Sequence, residues 1–355
     1  MILRVLVGTY SHSFLGVPAD GRGIYGLKFD TRDGTASPAR LATPCRNPSY
    51  LARHPARPIV YAVNEVFAGD GPAVKSYAID ADGRLARQSR QPIAGELPCQ
   101  LSVDPSGRWL ATAQYWSGDV ALFPLAEDGT LKPCVAQLRQ QASGPNRERQ
   151  EGPHAHCTVF SDGGRSLHVC DLGADAVYSY ALPASAGTPV PGEPLLCRMP
   201  AGCGPRHLAL MADERFAVVS CELDETVCLL ERTGNGWAVR QVVAAFDRSD
   251  GAAGTVAAIR VAPDGRHVYV SGRRQSAIAC FSVDDKTHAL SRLSEADSGG
   301  TTPRDIILTP DGKWLLAANQ ESGSLGILGR DEATGLLSPV SSVSGFGNPV
   351  ALLVV

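Results

Sequence analysis

Short apolar runs that end on a polar residue recur along the whole chain. They are VLVGTY ending at Tyr10, VYAVNE at Glu65, LATAQY at Tyr115, AVVSCE at Glu222, VYVSGR at Arg273 and LLAANQ at Gln320, with LHVCDL closing on Leu172. The seven copies lie 47 to 57 residues apart. Six follow a turn-like stretch, clearest in DPSGRW (Asp104 to Trp109), PDGRHV (Pro263 to Val268) and PDGKWL (Pro310 to Leu315). Before the turns stands a second short strand, usually opened by an X-Pro pair: NPSYLA, LPCQLSV, GPHAHCTV, GPRHLAL, TPRDIIL and NPVALLVV. Proline is tolerated at the first residue of a strand because its missing N–H breaks no ladder bond there. The copy at TVAAIRV keeps the strand and drops the proline. Strand, turn, buried strand and a pair of outer strands, repeated every ~50 residues, describe one blade of a β-propeller.

The pattern also predicts how the ring closes. NPVALLVV stands at the end of the chain with no partner after it, and VLVGTY at the start with none before it. The C-terminal strand is therefore expected to enter the first blade as its innermost strand. The expectation is an all-β, seven-bladed propeller forming a single domain over residues 1–355.

Such a ring brings equivalent positions of every blade to one rim. The post-proline residues are Ser49, Cys99, His154, Arg206, Arg304 and Val350, and the residues ending the second strands include Glu65, Tyr115, Asp171, Glu222, Arg273 and Gln320. Both sets are expected at one mouth of the central channel. His154, Arg206, Glu222 and Arg273 together supply a base, a carboxylate and two fixed cations, which suits an anion-binding hydrolytic or proton-transfer site. Alternatives remain open at several positions. His154 and His156 share one strand face and resemble a metal pair, but two ligands are too few for zinc and no metal is expected. Between them, His154 is favoured as the functional one by its post-proline position. Arg206 and Arg304 can equally bridge blades, Glu222 can be the counter-ion of Arg206, and only one of Arg273 and Arg274 is expected to enter the channel. The charged stretch leading into the His strand places Arg147, Arg149, Gln150 and Glu151 as a cover over the substrate.

Composition narrows the classes without changing the architecture. A net charge of −3 and a pI near 6.2 argue against a nucleic-acid footprint. No run of 18 apolar residues and no leader-like segment is visible, so neither a membrane span nor a secretion signal is expected. Ten scattered cysteines without a CxxC pair, several inside apolar runs (Cys170, Cys221, Cys228, Cys280), read as reduced thiols of a cytoplasmic protein. GxxxxGK[ST] and GxGxxG are absent, and no cofactor is expected. The oligomeric state is left open.

The combination of NPSYLA with YAVNE, RQEGPHAH with VCDLG, GPRH with CEL, and VSGR with TPRD and LLAANQ resembles the seven-bladed propeller lactonases. That family includes the propeller type of 6-phosphogluconolactonase and the carboxymuconate-lactonizing enzymes. The likeness runs from VGTY to the C-terminal NPV, with GPHAH and GPRH its most specific parts. It implies His154 as the active-site histidine, with Arg206, Glu222 and Arg273 around it. One departure is Gly272 before Arg273, where an asparagine is expected.

For a sugar lactone the resemblance implies water attack on the carbonyl. His154, oriented by Glu222 or yielding the base role to it, takes the proton. Arg206 and Arg273 hold the substrate anion and the developing oxyanion. Arg304 receives the phosphate. His156, Asp171, Glu65, Gln320, Arg149 and Gln150 complete the binding surface. No GxSxG elbow is present, which disfavours a covalent serine intermediate. The expected ligand is thus a small anionic lactone, most simply 6-phosphoglucono-δ-lactone. Cycloisomerisation of a carboxymuconate uses the same groups and is the runner-up. A non-catalytic binding propeller stands third, disfavoured because the chain has no Trp-Asp dipeptide and no Gly-His signal.

Overall fold

The structure, a computed structural model of the chain, describes residues 1–17, 19–183, 191–234, 236–247 and 254–355. It contains seven antiparallel sheets, one for each copy of the repeat. Six have four strands in simple up-and-down order, covering residues 51–92, 98–139, 155–198, 205–244, 256–297 and 303–344. Among the described residues the helical content is a single 3-10 turn, Ala68–Asp70.

The seventh sheet joins the chain's two ends. Asn348–Val354 pairs antiparallel with Ile2–Tyr10, which pairs in turn with Gly23–Asp30. The closure expected from the orphan strands at the two ends is present. It is pinned by more than the ladder: Leu352 N–H donates to Asp305 Oδ2 at 2.9 Å, and Asp305 Oδ1 receives Arg260 Nη2 at 2.7 Å.

Each sheet follows one burial rule. The second strands are buried throughout in Ile59–Val63, Trp109–Gln114, Ser166–Asp171, Phe216–Cys221 and His267–Gly272, and buried except near their first residues in Ile2–Tyr10 and Trp314–Asn319. They read as continuous apolar runs because both faces are covered. The fourth strands alternate between exposed and half-buried positions, as in Leu85–Pro92 and Leu290–Asp297. The turns read from the sequence are formed as expected. In DPSGRW, Asp104 Oδ1 accepts from Ser106 Oγ and Arg108 N, while Gly107 takes φ 71° against the His54 ring.

Contacts divide the chain into two compact units. One comprises Met1–Pro48, Ala209–Leu229 and Gln241–Val355; the other comprises Ser49–Leu208 and Leu230–Arg240. Within the second, Tyr61, Leu101, Leu110 and Phe123 form one core, and Trp109, Leu122, Val169 and Tyr178 another. Within the first, Val218, Val268, Val270 and Phe281 pack together, as do Val5, Phe29, Leu316, Leu325 and Phe346. The ten cysteines are all free and nine are buried. Among the described residues, no helix is long and apolar enough to cross a membrane.

The closing strand generates a test of the fold. Truncation after Gly347 removes buried Val350, Ala351 and Leu352, and burial of such side chains is worth about 1.5–3 kcal/mol for each large one. The truncated chain is expected to melt about 10 °C or more below the full chain by circular dichroism. An unchanged melting temperature would remove the closing role from this strand.

Candidate active site

A recurrent irregularity fixes which side chains meet. At the start of the inner strand, one extra residue is inserted opposite the second strand. Pro98 pairs with Gln114 and Gln100 with Ala113, so Cys99 bulges. Ala155 pairs with Asp171 and Cys157 with Cys170, so His156 bulges. Arg304 and Val350 occupy the same place in their own sheets. A β-bulge bends the strand and re-aims a side chain, and bulges concentrate beside functional sites.

This register corrects the sequence reading at two positions. His156, not His154, is the counterpart of Cys99 and Arg304. Pro153 follows a glycine and precedes His154, whereas the residue equivalent to Pro98 is Ala155. His154 stands two residues earlier, where its carbonyl accepts from Leu172 N, as Leu97 O accepts from Tyr115 N and Thr302 O from Gln320 N. The same bonds place Leu172, rather than Asp171, at the register of Tyr115 and Gln320. Asp171 is the last residue of its strand and fully buried. Its Oδ1 accepts from the backbone N–H of His154 at 2.7 Å and of Ala174 at 3.0 Å. Burial pushes its carboxyl up to about 6, outweighing the hydrogen bonds from those amides.

The unit Ser49–Leu208 with Leu230–Arg240 gathers an imidazole cluster. The His154 ring lies 4.6 Å from the Tyr115 ring at 16°, a stacked pair. His154 Nδ1 is 2.8 Å from the Tyr115 carbonyl oxygen. A carbonyl only accepts, so Nδ1 carries hydrogen and Nε2 is the nitrogen left to exchange a proton. Nε2 lies 3.2 Å from Glu151 Oε1. His156 packs edge-on against both Tyr115 and His207, with centroids 5.5 Å away in each case, and its Nδ1 is 3.7 Å from Cys99 Sγ. Arg206, almost fully buried, donates from Nη1 to His207 Nε2 at 3.2 Å, and His207 meets Tyr50 edge-on at 5.9 Å.

The charged stretch before His154 is more structured than its composition suggests. Gln150, expected on an exposed cover, is fully buried. Its Nε2 donates to Leu172 O and to Asp175 Oδ1, and its Oε1 accepts from Asn146 N. Gln150 is a peg that fixes the loop. On either side of it, Arg149 Nη2 donates to Tyr115 Oη at 3.1 Å and Glu151 reaches His154. Glu65 is buried in this unit.

The other unit holds the remaining expected residues. Glu222 Oε1 pairs with Arg273 Nη2 at 3.0 Å, and Arg273 Nε donates to Thr255 O at 3.1 Å. Arg274 instead pairs with Glu225 at 3.0 Å. The Arg304 guanidinium lies over the Tyr10 ring at 5.4 Å, a cation–π contact. Gln320 is buried, and its carbonyl accepts from Asn348 Nδ2. Among the described residues, no three His, Cys, Asp or Glu side chains are placed to hold a metal ion.

Sequence reasoning passed over His207, although it stands beside Arg206 in the GPRH motif. It also passed over the stacking role of Tyr115, and over Gly173. A Cβ at Gly173 would sit 1.9 Å from Gly152 O and 2.9 Å from His154 Cδ2. The glycine after VCDL was the available signal.

Seven sheets, one for each repeat and the last closed by the C-terminal strand, define a seven-bladed β-propeller. Residues 4–354 match the family described as Lactonase, 7-bladed beta-propeller, and the chain belongs to that family. It is a lactonase with a seven-bladed β-propeller fold. The 6-phosphogluconolactonase of Bacillus subtilis is 35% identical over 306 residues, 85% of this chain and 83% of that protein. The solved structure of the Pseudomonas aeruginosa periplasmic gluconolactonase is 30% identical with a TM-score of 0.89, over 100% of this chain and 99% of that one. A Lactobacillus plantarum protein is 27% identical with a TM-score of 0.91, covering both chains completely.

Two variants test the supports beneath His154. Asp171, whose carboxyl is raised in the folded state, costs stability as pH climbs from about 4 through about 6. Asp171→Asn keeps an acceptor for both amides and removes the buried charge. Its melting temperature relative to wild type is therefore expected to be higher at pH 8 than at pH 4.5, by about 2 kcal/mol in stability. A pH-independent difference would contradict the buried charge. Gly173→Ala must displace Gly152 or His154, and its lactonase kcat/KM is expected to fall at least about tenfold with the protein still folded. Retained activity would show that the His154 position tolerates such movement.

Proposed function

We propose that this lactonase hydrolyses a phosphorylated aldonolactone of the 6-phosphoglucono-δ-lactone type, with His154 as general base. The carrying observation is the hydrogen bond of His154 Nδ1 to the Tyr115 carbonyl, which fixes the tautomer and leaves Nε2 as the proton-exchanging atom. Water adds to the lactone carbonyl as Nε2 takes its proton, and the carbonyl oxygen becomes an oxyanion. Collapse of that intermediate breaks the ring C–O bond. The imidazolium returns the proton to the departing ring oxygen, giving the open hydroxy acid. Arg206, held by His207, is the donor assigned to the oxyanion or to the substrate's anionic end. The names of the Bacillus and Pseudomonas relatives support a gluconolactone substrate, and the former supports the phosphate. Free cysteines support a reducing, cytoplasmic setting.

A second reading has its own observation. His156 shares the bulge register of Arg304 and Cys99, and it touches both Tyr115 and His207. In that reading His156 is the base and His154 a brace.

The test is a coupled assay on freshly prepared 6-phosphoglucono-δ-lactone, with spontaneous hydrolysis subtracted. Under the first reading His154→Ala lowers kcat by about 10²-fold or more, whereas His156→Ala costs much less. Arg206→Ala is expected to lose about 10²-fold in kcat/KM. The reverse ranking of the two histidines transfers the base role to His156, and no turnover above background by wild type refutes the substrate. In the same assay Arg304→Ala is expected to raise KM for the phosphorylated lactone while leaving kcat in place. An unaltered KM would withdraw the phosphate from Arg304.

A further inference from the structure

In this structure both nitrogens of His154 face acceptors. Nδ1 meets the Tyr115 carbonyl at 2.8 Å, and Nε2 meets the Glu151 carboxylate at 3.2 Å. Neither partner brings a hydrogen when Glu151 is ionised, so the imidazole satisfies both only as the doubly protonated cation. A general base must instead present an unprotonated Nε2 to water. The contact with Glu151 is fully hydrogen-bonded only when His154 carries both ring hydrogens, and it occupies the Nε2 that a general base needs free.

The loop is built so that freeing Nε2 needs only one side chain to move. Gln150 is fully buried and pegged to Leu172 O, Asp175 Oδ1 and Asn146 N, which holds the backbone beside Glu151. The Glu151 side chain itself is 56% exposed, against 5% for His154. We propose that Glu151 is a positioning residue for the lactonase reaction, one that holds His154 in its protonated form and so sets the pH at which the base becomes available. This rests on the reading of His154 as general base.

Other charged groups surround the imidazole and set the direction. Arg149, on the same loop, contacts Tyr115 Oη and disfavours the cation. Asp171 approaches from the Ser166–Asp171 strand through the His154 N–H, and favours the cation once ionised. His156 lies two residues on, within the strand Ala155–Ser161 that His154 precedes, with His207 and Arg206 beyond it. Glu151 is the group placed on Nε2, at 3.2 Å. Its own carboxyl is held below the ordinary range: burial raises it, but its backbone amide, the His154 contact and Arg149 prevail.

The experiment is an NMR titration of the His154 imidazole in the intact protein, with its resonance assigned by its loss in His154→Ala. It is run for wild type, Glu151→Gln and Glu151→Asp. Glu151→Gln is expected to lower the titration midpoint by about half a pH unit, the scale of a partly exposed ion pair. The acid limb of kcat/KM is expected to shift the same way. Glu151→Asp is expected to recover part of the shift. An unchanged midpoint in Glu151→Gln overturns the proposal, whatever the activity. A shifted midpoint together with normal turnover by His154→Ala sustains the Glu151–His154 coupling, refutes His154 as base, and so overturns the catalytic part alone.

Discussion

The insertion at the head of five inner strands is the constraint on which the site depends. Because side chains in a strand alternate between faces, a single added residue changes which face every earlier residue presents. In this protein the bulge recurs at Cys99, His156, Arg304 and Val350, so chemically different side chains inherit one aim. The hydrogen bond just before it, from Leu172 N to His154 O or from Tyr115 N to Leu97 O, locks the approach to that bulge. The stacking of Tyr115 on His154 follows from those two backbone bonds. Each ring belongs to a residue fixed one step beyond a regular ladder, where the chain is rigid but no longer obliged to alternate.

This explains what the sequence could and could not disclose. The blades were legible because both their signals are local: apolar second strands buried on both faces, and Asp-Gly turns whose carboxylates bind their own backbone. The closing strand was legible because Asn348–Val354 repeats a motif whose partner stands at the other end of the chain. The site was legible only to within two residues. Proline marked the strand start at Pro98 and Pro303, but at GPHAH it is displaced and Ala155 takes the equivalent place, which hid His156 behind His154. Asp171 was read at the register that Leu172 holds for a related reason, since a strand's last residue and the next one point to different surroundings. Gln150 could not be separated from its charged neighbours by composition, because only packing shows that one polar side chain in such a run is a buried peg.

The electrostatics follow the same division between fixed and adjustable parts. Arg273 is oriented twice, by Glu222 and by the Thr255 carbonyl, and Arg274 is taken up by Glu225. Such pairing leaves a guanidinium's direction set before any ligand arrives, so little of the binding energy is lost to ordering it. Arg206 is likewise restrained through a neutral histidine, whose accepting nitrogen requires its hydrogen on the other side of the ring. Charge that is already oriented suits a reaction whose transition state develops negative charge at one known atom.

The His154 imidazole is held by a backbone carbonyl, not by a buried carboxylate, and this bears on the role proposed for it. A carbonyl fixes the tautomer but adds no full charge, and it leaves Nε2 as the nitrogen that meets other groups. A full charge meets it from an exposed side chain on a loop whose backbone is pegged by Gln150. A buried carboxylate at Nδ1 would commit the ring permanently. A surface carboxylate at Nε2 acts only while it stays, and it stands where a water activated by His154 would have to approach. The fold thus keeps the orientation of the ring in rigid backbone and leaves Nε2 facing an exposed side chain at the edge of the cluster.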